Sequence, residues 1–229
     1  MTVGLFKMKK HGKRIVYLLA SVFLFFGFSY SIVLTCTKKL EIGKTFYFLV
    51  SDSTHIEAST HAAKLQGGAG YLLSFGKKEY VAYAVYISKD VGNAVQATLT
   101  QQGEDVRLIE RKAETLYLQT RKEKKNLKIY QNAFNVLYDC MQVLNGEITR
   151  LEGGATQPSS KKIVRRLSRQ LDYLFEEYET SYSSFASLCK GAGAELSMIA
   201  NDTIYAKDLR YVLCELADGY LKLISSFAW

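Results

Sequence analysis

Histidine is nearly missing from this chain, and its scarcity excludes the most familiar kinds of active site. His11, His55 and His61 are all there are. His55 and His61 stand six apart and so do not share a helical face, which needs spacings of three or four. No Cys-x-x-Cys pair accompanies them, so a zinc site is not expected, and both are read as polar residues on an exposed helix side. A catalytic cysteine needs a histidine beside it, and no histidine follows His61. Cys140, Cys189 and Cys214 fall on three separate predicted helices. Folded antiparallel, they lie at heights differing by roughly 10 Å or more, too far for a disulfide, so they are read as small hydrophobes. Proline occurs once, at Pro158, and no linker rich in Pro, Ser or Gly divides the chain. The one glycine cluster, Gly67-Gly68-Ala69-Gly70, follows a predicted helix instead of opening one, so no helix N-terminus is aimed at a phosphate. The carboxylates sit among lysines and arginines, and Glu176-Glu177 with Glu179 reads as a solvated face. No enzyme signature and no cofactor are expected.

Acids are absent before Glu41. The net charge is +8, but Lys7, Lys9, Lys10, Lys13 and Arg14 account for five of the 30 basic residues, leaving 25 against 22 acids in the remainder. A modest excess of that kind is an ordinary solvated surface, and no nucleic-acid partner is expected. The five cations precede Ile15–Cys36, an uncharged run of 22 residues. At about 1.5 Å per residue it can cross a hydrocarbon core of roughly 30 Å. It is longer than an ordinary signal-peptide core and lacks a clear small-x-small cleavage site. The expectation is a single-pass anchor in the cell membrane, N-terminus cytoplasmic and the bulk of the chain extracytoplasmic.

What is present is a unit that occurs twice. Shifting Phe46–Lys78 by 34 positions lays it on Tyr80–Lys112 without a gap. Each copy reads as an apolar strand, an Ala/Leu helix, a glycine break and a second strand. The strands are expected at Thr45–Val50, Tyr71–Phe75, Tyr80–Ile87 and from Val106. The helices are expected from about residue 54 to Gln66 and over Asp90–Gln102. Two copies give β-α-β-β-α-β, the split ferredoxin-like plan. Strand side chains alternate between faces, so Phe46 and Phe48 of the first strand and Tyr80 and Ala82 of the third share the face away from the two helices. Tyr71, Arg107 and Arg111 extend that face from strands two and four. Both faces of strands one and three are apolar or aromatic, so the second face is either an open binding platform or covered by another part of the chain.

Beyond Gln119 the period changes. Leu127, Tyr130, Phe134, Leu137, Met141, Leu144, Ile148 and Leu151 alternate spacings of 3 and 4, a heptad seam. Leu137 and Leu144 are core positions on it, while Lys125 and Arg150 point outward. After the Gly153–Ser160 loop a second helix is expected from Ser160 to Cys189, ended by Gly191-Ala192-Gly193, and a third from Ile204 to about Phe227. Three seams joined by short loops imply an antiparallel three-helix bundle.

The aromatic strand Tyr80-Val81-Ala82-Tyr83-Ala84-Val85-Tyr86, followed by Asn93-Ala94, Leu99 and Gly103, resembles the SPOR domain of bacterial envelope proteins. Ala58, Ala62, Leu65 and Gly67–Gly70 fit the same pattern in the first half. The family's strand glutamine is Phe48 in one half and Ala82 in the other, and its strand glycine is Val50 and Ala84. The resulting plan is a basic cytoplasmic tail at 1–14, a transmembrane helix at 15–36, a SPOR-like βαββαβ domain at 44–118 and a helical bundle at 120–229. The fold class is α+β. The resemblance implies binding of peptidoglycan glycan strands during division or sporulation, with Phe46, Phe48, Tyr71, Tyr80, Ala82, Arg107 and Arg111 as the glycan-binding candidates. The alternative is a non-catalytic assembly protein of the envelope that binds a protein partner and no glycan. Burial of Phe48 and Tyr80 beneath residues after 120 would favour the second; an open groove would favour the first.

Overall fold

The computed structural model describes residues 38–40, 42–52, 56–113, 116–118 and 123–226. In chain order the elements are β1 (Lys38–Leu40), β2 (Thr45–Ser51), α1 (Ile56–Leu65), β3 (Tyr71–Phe75), β4 (Lys78–Tyr86), α2 (Lys89–Gln101), β5 (Arg107–Lys112) and β6 (Leu116–Leu118). The helices α3 (Glu123–Glu152), α4 (Gln157–Tyr178), α5 (Ser183–Asn201) and α6 (Ala206–Ser225) complete them. The chain divides into two compact units, Met1–Leu40 with Tyr117–Lys128 and Glu41–Leu116 with Ile129–Trp229. Strands β1 and β6 pair as a small two-stranded sheet.

The sheet of the larger unit has the strand order β3-β4-β2-β5, with antiparallel pairing at each of the three contacts. The alternating pattern of β2 is buried on both faces, because Phe46, Phe48, Leu49 and Val50 are all at most 1% exposed. A register shift between Leu49 and Val50 interrupts the β2–β4 ladder. On one face, Leu49, Ala63, Val81, Tyr83 and Val106 form a core, with Val95 and Leu99 of α2 packed against it. The tight turn after α1 is made by Gly67 and Gly70, both at positive φ. A Cβ on Gly68 would come within 2.9 Å of the Tyr83 ring, so that approach needs glycine.

The other face carries the C-terminal helices. On α3, Phe134, Leu137, Met141, Leu144 and Ile148 are buried, each contributing roughly 1.5–3 kcal/mol of hydrophobic stabilisation. Arg150 is not the neutral outward position that the heptad pattern predicts. Its guanidinium donates to Glu147 at 2.6 Å, and the Glu147 side chain is 1% exposed, so Arg150 neutralises a buried acid. Helices α4 and α5 approach closely at Gly193, where an added Cβ would lie 2.9 Å from Asp172 Oδ1. Across that contact the Ser168 hydroxyl donates to the Gly193 carbonyl at 2.9 Å.

The expected fold class is therefore corrected. Against the expected N-terminal transmembrane helix, ferredoxin-like βαββαβ (SPOR-like) domain and three-helix bundle, the described residues give a four-stranded antiparallel sheet, its elements β2-α1-β3-β4-α2-β5 in the expected strand–helix order, packed in one unit with four C-terminal helices. Among the described residues no helix is long and apolar enough to cross a membrane. The run at 15–36 and the basic tail at 1–14 lie outside the described residues. The C-terminal part has four helices where three were expected. The predicted helix 160–189 breaks at residues 179–182, and Gly191 and Gly193, predicted as its stop, lie inside α5. At Gly193 the missing side chain serves close helix packing, which outweighs glycine's weak helix propensity.

Candidate functional site

The sheet face singled out by the sequence is closed by α6. Phe46 is 1%, Phe48 0%, Ala82 0% and Tyr80 6% exposed. The Phe46 ring meets Tyr220 of α6 edge-on at 5.5 Å and Tyr138 of α3 at 6.1 Å. Tyr71 of β3 lies edge-on to Tyr211 of α6 at 5.4 Å. Tyr220 also donates its hydroxyl to the Ile42 carbonyl at 2.6 Å, fixing the start of β2 to the helix.

The arginines are engaged as well. Arg107 lies over the Tyr80 ring at 5.0 Å and pairs with Asp52 at 2.7 Å, at the exposed rim. Arg111 is mostly buried and sits between the rings of Phe48 at 5.7 Å and Phe75 at 5.3 Å. Its Nη1 donates to Asp218 Oδ1 at 2.5 Å. The other Asp218 oxygen accepts from the Tyr71 hydroxyl at 3.1 Å and from Lys222 Nζ at 2.7 Å. Asp218 is 1% exposed, and burial together with its charge raises the Tyr71 phenol well above the ordinary value. Of the predicted residues, the structure thus brings Phe48, Tyr71 and Arg111 together around an acid that the sequence reading passed over. Cys214, Asp218 and Leu221 lie off the seam of Leu209, Leu213, Leu216 and Tyr220, and all are buried. A helix buried on opposite sides is enclosed, not one face of a surface bundle.

A second arrangement of titratable groups lies at the α5–α6 contact. Glu195 is pushed up to about 7, first by burial, then by the charge of Glu215 and their shared hydrogen bond. Glu215 is raised by burial too. Beside the pair is an open cavity of about 330 Å³, lined by Lys64, Ala69, Glu195, Met198, Ile199, Lys207, Asp208 and Tyr211. Two carboxyls sharing a proton is chemistry that acid–base catalysis employs, but two acids brought together by helix packing give the same shift. The thiols are unreactive by environment: burial raises Cys140 to about 11 and Cys189 to about 12. Burial also raises Cys214. Among the described residues no group of three or more His, Cys, Asp and Glu is placed to hold a metal ion.

The Glu195 shift sets a pH dependence. The unfolded chain releases this proton near 4.5, whereas the folded chain holds it to about 7. Between those values the unfolded state binds fewer protons, so the contribution of this site to stability falls as pH rises. Urea midpoints at pH 5 and pH 8 are expected to differ less for Glu195→Gln than for the wild type, with the variant gaining at pH 8. An unchanged difference would show that Glu195 titrates normally.

No family model, curated protein or solved structure matches the chain.

Proposed function

We propose that this chain is a non-catalytic assembly protein of the cell envelope, one that binds a protein partner and no glycan. The observation supporting it is the closure of the sheet face by α6. Sugar-stacking aromatics have to present a ring face to solvent, whereas the rings of Phe46 and Phe48 are at most 1% exposed. The donors suited to glycan oxygens are also occupied, Arg111 by Asp218 and Arg107 by Asp52. Opening this face would strip Asp218 of its Arg111 and Tyr71 partners, so it is not a casual motion. The apolar run at 15–36 and its basic flank support attachment at the membrane.

Sedimentation with isolated peptidoglycan sacculi tests the reading, using the full chain in detergent micelles. No binding above background is expected, with or without prior amidase removal of stem peptides. Phe48→Ala combined with Tyr80→Ala is expected to lower thermal stability and leave sedimentation at background. Robust wild-type binding, lost in a double variant that melts like the wild type, would mean that the face opens to take glycan.

A further inference from the structure

Helix α4 segregates its charges along its length. Lys161, Lys162, Arg165, Arg166 and Arg169 occupy its N-terminal part with no acid among them, and Asp172, Glu176 and Glu177 occupy its C-terminal part. This order opposes the helix macrodipole, which favours acids near the N-terminus and cations near the C-terminus. It also forgoes the Glu-to-Lys i,i+4 pairs that stabilise a single helix. Among the described residues Arg165, Arg166, Arg169, Glu176 and Glu177 have no ion pair.

The exposed side of α4 carries both parts. At about 100° per residue, Lys162, Arg165, Arg166, Arg169, Tyr173, Glu176 and Glu177 lie opposite the buried stripe of Val164, Leu167, Leu171 and Leu174. Tyr173 stands between the basic and acidic parts and is 61% exposed. The basic part also borders an open apolar depression of about 490 Å³ containing Pro158 and Ile163.

We propose that this face of α4 is the contact between two copies of the chain, packed antiparallel about a two-fold axis. A two-fold contact must be self-complementary, and a helix basic at one end and acidic at the other is self-complementary only when reversed. With the axis at the level of Leu171, Arg165 of one copy faces Glu176 of the other, Arg166 faces Glu177, and Arg169 falls over the ring of Tyr173. Arginine suits both the planar carboxylate and the aromatic face. Reversal also sets the two helix dipoles head to tail. The proposal rests on the assembly reading and names its partner as a second copy. Because it concerns α4 and not the sheet, sacculus binding and self-association can fail separately.

The test is a charge swap, read by sedimentation velocity on the full chain in detergent micelles of known mass. The wild type is expected to be dimeric at low salt and to dissociate towards monomer near 1 M salt, where the screening length is about 3 Å. Arg165→Glu with Arg166→Glu, and separately Glu176→Lys with Glu177→Lys, are each expected to weaken the dimer about 100-fold or more, since like charges then face each other. An equimolar mixture of the two variants is expected to restore a dimer, which only folded partners can do. The milder Arg169→Ala is expected to weaken the dimer while leaving the thermal transition of the monomer unchanged. A monomeric wild type, a dimer indifferent to both reversals, or a mixture that stays monomeric would overturn the proposal. So would a monomeric wild type that binds phosphatidylglycerol vesicles through the arginines, making an anionic lipid surface the occupant.

Discussion

Asp218→Ala is expected to destabilise the protein by about 3–5 kcal/mol, the range found when one partner of a buried ion pair is removed. The size follows from what is left behind. The Arg111 side chain is only 14% exposed and is flanked by Phe48 and Phe75, so without the carboxylate its charge has neither water nor a counter-ion. The Tyr71 hydroxyl loses its acceptor in the same substitution. Lys222 is a useful control, since it touches the same carboxylate but its side chain is 59% exposed. Lys222→Ala is expected to cost about 0–1 kcal/mol. Replacing both members, Asp218→Ala with Arg111→Met, is expected to recover much of the loss, because an apolar pair carries no unpaired charge. Urea denaturation of the wild type and these three variants at constant pH gives the values. Equal losses at Asp218 and Lys222 would mean that the carboxylate is solvated in solution.

Phe134→Ala is expected to cost about 3–5 kcal/mol through the cavity it leaves. Phe134 is fully buried and joins two aromatic groups. Its ring meets Tyr220 at 5.1 Å and Phe185 at 5.5 Å. Tyr220 continues to Phe46 on the sheet, and Phe185 continues to Tyr178 at 5.3 Å. Edge-on aromatic pairs add roughly 0.5–1.5 kcal/mol each beyond their area, so truncation at the junction loses more than an isolated ring would. Phe134→Leu is expected to retain a good part of the packing and lie between the wild type and alanine. By contrast Met198, 67% exposed, is expected to tolerate alanine within about 0.5 kcal/mol. A Phe134→Ala protein with a near-wild-type denaturation midpoint would mean that the aromatic chain does not connect sheet and helices.

Local structure was largely legible in the sequence, because its causes are local. The alternation in β2 and the 3-and-4 spacing in α3 place both elements, and Gly67 and Gly70 adopt the positive φ that a turn demands. The reading was weaker where packing chose between locally plausible options. Gly191 and Gly193 carry the chemistry of a helix stop, yet the approach of α4 to α5 uses the missing side chain of Gly193 inside a helix. Tyr182 fits a helical face by spacing, but it stands at the start of α5 with extended φ. At the candidate site the aromatic strands drew attention to Phe48 and Tyr80, and periodicity could not say whether α6 would cover them. Asp218 was missed because a single acid on a mostly apolar helix looks like a solvated residue until its partner, more than a hundred positions upstream, is known.

The hydrogen bond from Tyr220 to Ile42 spans 178 residues of sequence, and this governs the order in which the molecule can be completed. The cover of the central strand β2 belongs to α6, which is made long after it. While synthesis proceeds, Phe46 and Phe48 have no permanent cover, and the sheet exists at best as an intermediate with an uncovered aromatic surface. Chains of this size that fold through such intermediates are prone to aggregate and depend on chaperones, and contacts this distant in sequence close slowly. A chain cut short before α6 would keep the sheet's sequence but lack the cover for its hydrophobic face. The protein thus carries a dependence on order: β2 reaches its final state only once α6 has been made.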